Sequence, residues 1–320
     1  MTVSETDFGT LTERHRRELR VHCYRMLGSY DEAEDLVQET FLRAWRRREA
    51  FEGRSTFRAW LYSIATNACL DFLDRHRRRP KPYAVPPAIG PQDAERPDEL
   101  PWLQPYPDEE LPEEQVIARE TIELAFLAAI QHLPPRQRAA LILRDVLGWP
   151  APETAEVLGT SVAGVKSALQ RARPVLRARL PERRSEWPAG VEPSEAEREL
   201  LERYLAAMDA RDASALAELL AEDLRVTMPP HPLWFAGGAE FAAGLIAQLD
   251  PVSPAYVGSW RVRYARANRC PVVANYLRAP GDDTYRAQVL NVLRIEDGRI
   301  AAITAFMPDH FERFGLPATA

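Results

Sequence analysis

Two clusters of basic residues are the side chains whose type and spacing most directly suggest a chemistry. The first closes residues 1–80 and contains Arg75, His76, Arg77, Arg78 and Arg79. The second lies at the end of a later segment and contains Lys166, Arg171, Arg173, Arg177 and Arg179. Basic groups gathered in this way can bind the phosphates of a nucleic acid. A solvated helix end gives the same pattern, so composition alone leaves both interpretations open.

The net charge of −6 is distributed unevenly over the 320 residues. Residues 1–80 and 113–184 are weakly basic, whereas residues 81–112 and 185–320 are acidic. The 3 cysteines are scattered and match no metal or redox spacing, so we expect reduced thiols and no metal or cofactor. No apolar run is long enough to cross a bilayer, and the first ten residues do not form a signal peptide. These features predict a cytoplasmic protein that does not bind membranes.

The elements that must position the basic clusters are helices. In residues 1–80, Ser29 and Glu32 form a capping box before a helix with an apolar stripe, and a third helix begins near Thr56. Residues 113–184 contain helices predicted at 114–132, 136–147, 152–158 and 161–180. The last two flank a tight turn at Gly159 and Thr160, which is the pattern of a helix-turn-helix.

The remaining segments differ in character. Residues 81–112 are rich in proline and acid and form a linker, but Trp102, Leu103 and Tyr106 within it are apolar and should dock on a surface. After a second linker at 185–193, residues 194–320 combine two helices with strand patterns and an Asp297-Gly298 hairpin turn. The fold class is therefore multi-domain: two all-α domains at 1–80 and 113–184, and an α+β domain at 194–320.

Five parts of the sequence resemble known families. Residues 31–41 (DEAEDLVQETF) and 56–67 (TFRAWLYSIATN) resemble the core-polymerase-binding and promoter-melting regions of sigma-70 family factors. Residues 133–138 (LPPRQR) and 159–167 (GTSVAGVKS) resemble the helix-turn-helix of the same family, which reads duplex DNA. Having these two domains and no other sigma domain is typical of the extracytoplasmic-function (ECF) group. The tail resembles SnoaL/NTF2-like domains at residues 209–220, 228–230 and 311–317, and these domains fold as a cone of sheet and helices.

The resemblance implies a non-catalytic subunit that brings core RNA polymerase to promoters. The sigma-2 domain would bind the β′ clamp helices, and the sigma-4 domain would bind the β flap. The residues implied for polymerase binding are Glu34, Asp35, Gln38, Glu39 and Leu42. Those implied for the melted −10 strand are Arg58, Tyr62, Asn67, Asp71, Arg75, His76, Arg77, Arg78 and Arg79. Because Trp60 falls on the apolar stripe of its helix, Tyr62 is expected to be the exposed aromatic ring.

The helix-turn-helix would read the −35 element in the major groove. The residues implied for this contact are Ser161, Val162, Lys166, Ser167, Gln170, Arg171 and Arg173, the last two at phosphates. The alternative of a dimeric helix-turn-helix repressor would explain this domain but not residues 31–41.

The function of the tail stays open at the level of sequence. One hypothesis is that the tail, the linker and the sigma domains contact one another and control activity in cis, so that no separate anti-sigma factor is required. The alternative is a small-molecule-binding or cyclase-like module with acid–base candidates at His231, Asp309 and His310, although no pair of them has a diagnostic spacing. The residues predicted to line a tail pocket are His231, Trp234, Trp260, Tyr276 and Asn291.

Overall fold

A computed structural model describes residues 5–51, 56–76, 88–90, 100–112, 121–180 and 194–320. The chain forms two compact units, which are described separately. Unit 1 combines residues 1–79 with 110–186, and unit 2 combines residues 80–109 with 187–320. Most of the predicted linker thus belongs to the unit that contains the tail. The predicted −10 residues Arg77, Arg78 and Arg79 lie outside the described residues.

The first half of unit 1 is a helical bundle of α1 (Glu5–Glu13), α2 (Arg16–Leu27), α3 (Tyr30–Arg46) and α4 (Phe57–Arg75). The Ser29 half of the predicted capping box is present, since the Ser29 hydroxyl accepts a hydrogen bond from the Glu32 amide at 3.3 Å. The Thr56 hydroxyl likewise accepts from the Ala59 amide at 3.1 Å. Such caps satisfy backbone donors that the first helical turn leaves free.

The second half of unit 1 contains α5 (Leu124–Gln131), α6 (Pro135–Leu141), α7 (Ala151–Val157) and α8 (Val162–Arg179). A π-helical turn at Ile142–Val146 continues α6. The turn between α7 and α8 contains Gly159 with φ of +58°, a conformation that glycine adopts at low cost. The Ser161 hydroxyl caps α8 by accepting from the Gly164 amide at 3.0 Å. The predicted helix at 114–132 is described only from residue 121.

Unit 2 contains α9 (Glu195–Ala210), α10 (Ala213–Leu219) and α11 (Gly238–Leu249) packed on a six-stranded sheet. The strands, listed in chain order, are β1 (Leu220–Met228), β2 (His231–Ala236), β3 (Ser259–Ala267), β4 (Cys270–Arg278), β5 (Arg286–Glu296) and β6 (Arg299–Phe306). Their spatial order is β2-β1-β6-β5-β4-β3, and only the β1–β6 pair is parallel. Two of these elements, β2 and α11, were not predicted from the sequence.

The helices of unit 2 cover one face of the sheet and bury a core that includes Leu201, Tyr204, Ala242, Val273 and Leu293. Side chains that alternate with these along the strands, such as Tyr276 and Phe306, are buried on the opposite face. The sheet therefore has apolar side chains on both faces. Within the parts of the chain that the structure describes, none of the helices has the length and apolarity that a bilayer crossing requires.

Candidate functional surfaces

The outer row of α3 presents Asp35, Gln38 and Leu42 to solvent, one helical turn apart. Leu42 is 53% exposed, which is unusual for a large apolar side chain on a helix whose other face is well packed. An apolar side chain in a row of acceptor groups can contact a partner whose surface is basic with an apolar centre. Of the other predicted polymerase contacts, Glu34 and Glu39 are half-buried, and each is paired within the bundle.

Glu34 belongs to an ion-pair network that also holds the end of the linker. Its carboxylate accepts from Arg16 at 2.9 Å and from Arg20 at 3.1 Å. Arg20 also pairs with Glu110 at 2.7 Å, and the Tyr30 hydroxyl donates to the same Glu110 carboxylate. The linker therefore enters unit 1 through an acidic side chain bound between α2 and α3.

The C-terminal half of α4 carries the exposed part of the predicted −10 surface. Asn67, Asp71, Arg75 and His76 are all exposed. The Asn67 amide donates to the Ser63 carbonyl at 2.9 Å, a local bond that a competing ligand could replace. Asp71 is tied to α3 by Arg43 at 2.9 Å, so it also has a structural role.

The expectation that Tyr62 is the exposed aromatic side chain of α4 is wrong. Tyr62 is 1% exposed, and its ring lies 5.1 Å from the ring of Trp149, in the second half of the unit. Trp60, placed on the core stripe by its spacing, is instead half-buried and packs against Phe51 and Phe57. The helical period of the sequence predicted one buried face of α4. A second face of α4 is also buried, because α7 and the loop before α7 pack against it.

Arg58, also predicted to bind the melted strand, contacts the same Trp149 ring. Its guanidinium pairs with Glu18 at 2.7 Å and lies 5.8 Å from the centre of the Trp149 ring. Burial would raise the pKa of Glu18, but hydrogen bonds from Arg58 and His15 outweigh it and hold that pKa below its ordinary value. The Tyr62 hydroxyl donates to the same carboxylate at 3.1 Å, and burial raises the pKa of Tyr62 well above its ordinary value.

Two buried arginines join the halves of unit 1. Arg138 of α6, 4% exposed, donates to the Met26 carbonyl at the end of α2 and to the carbonyls of Gln131 and Leu133 at 2.8 and 3.1 Å. Arg25 of α2, 1% exposed, donates to the Thr121 carbonyl at 3.1 Å and to its hydroxyl at 2.6 Å. Buried guanidinium groups are costly without hydrogen-bond partners, so the bonds of each arginine favour this arrangement of the junction.

The helix-turn-helix presents one exposed face along α8. Ser161, Val162, Lys166 and Gln170 are exposed, and Val162 is 37% exposed although it is apolar. Val165, Leu169 and Ala172 point the other way and are buried. The N-terminal half of α8 is thus free to enter a groove, with a polar row and one methyl-bearing side chain able to meet base edges.

The predicted phosphate contacts of α8 have local partners. Arg173 makes two hydrogen bonds to Asp145, at 2.9 and 2.8 Å, and both residues are solvent-accessible. Arg171 donates to the hydroxyl of half-buried Ser167 at 2.7 Å. Lys166, in contrast, makes no ion pair among the residues that the structure describes.

In unit 2, the linker adds its backbone to both edges of the tail sheet. At the β2 edge, the Ala88 amide donates to the Trp234 carbonyl at 2.8 Å, and the Ala236 amide donates to the Ile89 carbonyl at 2.9 Å. Gly90 approaches so closely, with φ of +113°, that a Cβ there would lie 2.1 Å from the Ala236 carbonyl oxygen. This glycine is required for the linker to lie along the strand.

At the opposite edge, the linker binds the turn between β3 and β4. The Tyr106 backbone amide donates to the Asn268 side-chain oxygen at 2.8 Å, and the Asn268 backbone amide donates to the Tyr106 carbonyl at 2.9 Å. Tyr106 is fully buried and Leu103 is 8% exposed. The prediction that the apolar linker residues dock on a surface is therefore confirmed for these two, and the backbone of Tyr106 is bonded to the tail unit.

Asp108 completes this attachment. Its carboxylate accepts from the Arg269 amide at 2.8 Å and from the Arg266 guanidinium at 3.2 Å. Burial raises the pKa of Asp108 above its ordinary value, although the Arg269 amide and the Arg266 guanidinium act in the opposite direction. Two acidic residues of one short turn thus serve different units, since Asp108 binds the tail and Glu110 binds α2 and α3.

The tail also contains a cavity of about 400 Å³ between α9, the end of α11 and strands β3 and β4. Its walls include Leu205, Met208, Trp260 and Val262, and the polar or charged residues that line it are Tyr204, Asp209, Arg211, Tyr256, Ser259, Arg261 and Asn275. Trp260 is the one member of the predicted pocket among these lining residues. His231 is exposed at the start of β2, Asn291 lies half-buried on β5, and Trp234 and Tyr276 are buried elsewhere in the unit.

The Tyr276 side chain shows why the pocket prediction failed. Tyr276 pairs across the strands with Arg261 and alternates with Asn275, so it lies on the face opposite the cavity. There its ring packs 5.3 Å from Phe311, and its hydroxyl donates to the Pro317 carbonyl at 3.0 Å. The predicted acid–base groups are not gathered either, since none of His231, Asp309 and His310 lines the cavity.

Comparison with known proteins assigns each of these parts. Residues 11–79 match Sigma-70 region 2, residues 123–174 match Sigma-70, region 4, and residues 201–303 match the SnoaL-like domain. This combination defines the class: a non-catalytic specificity subunit that directs RNA polymerase to promoters.

The chain is also similar to known proteins over nearly its whole length. The chain is 43% identical to the ECF RNA polymerase sigma factor SigG of Mycobacterium tuberculosis, over 97% of this chain and 84% of SigG. It is 30% identical to SigJ of the same organism, over 93% of this chain and 91% of SigJ. The crystal structure of SigJ superposes with a TM-score of 0.61 over 97% of this chain and 99% of that chain, at 26% identity. The chain belongs to the ECF sigma factors of the sigma-70 family.

Proposed function

We propose that this sigma factor rests in a closed form and that its SnoaL-like tail controls initiation in cis through the linker. The observation that carries the proposal is the attachment of the linker to the tail, through Tyr106 and Asp108 at one sheet edge and Gly90 at the other. The linker joins the domain that meets the −10 element to the domain that meets the −35 element. A tail that binds it limits how far these two domains can separate.

Polymerase binding is assigned to the outer row of α3. Asp35, Gln38 and Leu42 are exposed and share one face, which supports this assignment. Glu34 lies beside this row in the network that holds Glu110. A polymerase surface that competes for Glu34 would weaken the hold on the linker, because Arg20 serves both carboxylates.

Promoter binding is assigned to two separate faces. Asn67, Arg75 and His76 would hold the melted −10 strand, and Val162, Lys166 and Gln170 would read the −35 element. Tyr62 and Arg58 would join the first group only after Trp149 moves away, since Trp149 now packs against both. Initiation thus requires the junction between the halves of unit 1 to open.

Control in cis also bears on partners and location. A tail that binds the linker can take the place of a separate inhibitor, so we propose that no anti-sigma protein is needed to hold this factor in its resting form. The factor would work in the cytoplasm, where core RNA polymerase and promoter DNA are found.

Run-off transcription with core RNA polymerase tests the proposal on the promoter of the factor's own gene, using full-length protein. Tyr106→Ala removes a fully buried ring from the linker attachment, and Tyr106→Phe keeps the ring as a matched control. We expect Tyr106→Ala to change the transcript yield several-fold while Tyr106→Phe stays near the natural protein. Equal yields from all three proteins, each folded and bound to polymerase, would refute control through the linker.

The cavity in the tail supports a second candidate function, the binding of a small molecule. The indole N–H of Trp260 is buried beside the cavity without a hydrogen-bond partner, and the lining combines apolar groups with Asp209 and Arg211. An aromatic molecule that carries an acceptor for the indole N–H fits this combination of groups. With 8-anilinonaphthalene-1-sulfonate as the probe, we expect saturable binding to the full-length protein, weakened by Trp260→Phe and abolished by Met208→Arg. Equal affinity for the probe in the natural protein and in both variants would exclude this cavity as the binding site.

A further inference from the structure

The β3–β4 hairpin of the tail has an unusual charge composition. Residues 185–320 hold 19 acidic residues against 13 basic ones. Residues 259–278, which form the hairpin, contain five arginines and no acidic residue: Arg261, Arg263, Arg266, Arg269 and Arg278. The hairpin is therefore locally basic, although the domain as a whole is acidic.

The closed end of this hairpin already binds an anion. The carboxylate of Asp108 lies against the Arg266 guanidinium and the Arg269 amide. The hairpin is therefore able to receive an acidic group, and its closed end is occupied by the linker.

The open end carries the other three arginines on one face of the sheet. Arg261 pairs across the strands with Tyr276, and Arg278 follows Tyr276 two residues later, so both lie on the same face, as does Arg263. The guanidinium carbons of Arg261 and Arg278 lie 4.4 and 4.9 Å from the centre of the Tyr285 ring. Arg261 and Arg263 are exposed, and Arg278 is half-buried.

None of these three arginines makes an ion pair with any residue that the structure describes. Two guanidinium groups held on one tyrosine ring repel each other, and the domain has many acidic residues that could have been placed beside them. The open end is thus a group of cations fixed by aromatic stacking, with its planar donors free to bind an anion.

The spacing of the arginines identifies the kind of anion. Arg261 and Arg263 are two residues apart on an extended strand, so their Cα atoms are separated by about 7 Å. This separation is comparable to that of successive phosphates along a nucleic-acid strand. A single carboxylate or a small metabolite would engage one end of such a row, whereas a phosphate backbone can engage all of it.

We propose that Arg261, Arg263 and Arg278 form a third DNA contact of this sigma factor, which binds backbone phosphates of duplex promoter DNA without reading sequence. The tail follows the helix-turn-helix in the chain, so DNA bound at the −35 element raises the effective concentration of duplex near the tail. The contact adds affinity to a chain whose net charge is unfavourable for DNA. It does not depend on whether the tail also regulates initiation.

The test measures promoter affinity of the holoenzyme, formed from core RNA polymerase and full-length protein, at a series of salt concentrations. The test variant is Arg261→Gln/Arg263→Gln/Arg278→Gln. The control is Arg198→Gln/Arg203→Gln/Arg299→Gln, which removes the same charge from exposed positions of the tail outside the hairpin. A third variant, Arg261→Lys/Arg263→Lys/Arg278→Lys, keeps the charge on the hairpin. Thermal unfolding of each protein checks that the tail is folded.

We expect the hairpin Gln variant to lower the slope of log K against log salt by about 2 to 3 units, close to one unit for each phosphate that is no longer bound. The control should keep the natural slope, and the Lys variant should keep most of it. Equal reductions of the slope in the test and control variants would show an effect of net charge and overturn the proposal. Unchanged slopes would overturn it as well. A weaker affinity for core polymerase in the absence of DNA would show that the hairpin binds protein instead.

Discussion

The ring of Trp149 lies 5.1 Å from the ring of Tyr62, so a side chain of the region 4 half of unit 1 covers a residue of α4, the helix proposed to hold the melted strand. The contact lies at a junction that also holds Arg25 and Arg138. In this form α8 and the C-terminal part of α4 are exposed, whereas Tyr62, in the centre of the proposed −10 surface, is covered. We propose this relationship as the physical basis for a resting state.

Opening the junction should raise activity. Trp149→Ala removes a buried ring and with it an aromatic contact worth about 0.5–1.5 kcal/mol beyond the area it buries. This contact alone corresponds to a shift of about 2- to 13-fold toward the open form. We expect transcription at limiting sigma concentration to rise by at least about 2-fold, as measured by run-off with core polymerase.

Trp149→Phe keeps an aromatic ring against Tyr62 and serves as the control, with little expected change. A folded Trp149→Ala protein that binds polymerase normally but gives the natural yield, or a lower one, would argue against a resting role for this contact.

Removing the Arg138 guanidinium should destabilise unit 1. Arg138→Met leaves the carbonyls of Met26, Gln131 and Leu133 buried without their donor. Hydrogen bonds from a charged group contribute about 1.5–3 kcal/mol each, so we expect a decrease of about 3 kcal/mol or more in the free energy of unfolding.

Chemical denaturation would measure this decrease. Arg136→Met, two residues away and exposed, is the matched control and should cost less than about 1 kcal/mol. Similar costs for both substitutions would show that the buried network adds no special stability.

His22 should make the stability of unit 1 dependent on pH. Burial lowers the pKa of His22 from its ordinary 6.5 to about 3, and the nearby Arg25 and Arg58 add to this effect. Below pH 6.5 His22 is protonated in the unfolded chain but stays neutral in the folded chain. The stability that neutral His22 contributes is therefore fully present above pH 6.5 and is lost as pH falls toward 3. From pH 7 to pH 5 this loss of stability amounts to about 2 kcal/mol.

His22→Gln removes the titrating group while keeping a partner for Thr66, so its unfolding free energy should fall less over the same range. The difference between the two proteins isolates His22 from the carboxylates that titrate below pH 5. Parallel curves would show that His22 is not held neutral by the fold.

Lys166 and Arg173 should differ in their contribution to promoter binding, although both are basic and lie on α8. Lys166 makes no ion pair among the described residues, so Lys166→Gln should lower the salt slope of DNA binding by about 0.9. Arg173 is held by Asp145 at 2.8 Å and must give up this pair to bind a phosphate. Arg173→Gln should therefore change the slope less.

Binding of the holoenzyme to a −35 fragment at several salt concentrations would measure both slopes. A larger effect from Arg173 than from Lys166 would mean that the Asp145 pair does not persist on DNA.

The sequence predicted most of the helical fold because its local rules act within single elements. The Ser29 cap, the apolar stripe of α3 and the glycine at position 159 each depend on neighbours within a few residues. The hairpin turn at Asp297 and Gly298 is likewise local, and both residues have positive φ as the turn requires. Resemblance to sigma factors then supplied the predictions of functional surfaces, which no local rule could make.

The prediction failed where the burial of a side chain depends on an element that is distant in sequence. Tyr62 is buried because the sigma-4 half packs on α4, a contact that the period of the helix does not contain. The pocket set failed because alternation along β4 was not applied to Tyr276, which lies opposite Asn275 and the cavity. Strand β2 was missed because Pro232 interrupts its pattern, yet β2 lies at an edge of the sheet, where a missing donor is tolerated.

The opening of unit 1 on a promoter is the central claim, and one distance measurement tests it most directly. Cysteines placed at exposed Arg46 on α3 and Arg177 on α8 can carry spin labels, since native Cys23, Cys69 and Cys270 are all buried. Electron–electron distances would be recorded for the full-length protein alone and with core polymerase and promoter DNA. We predict a single short distance in the free protein and a longer one in the promoter complex. The same distance distribution in both states would contradict a closed resting form.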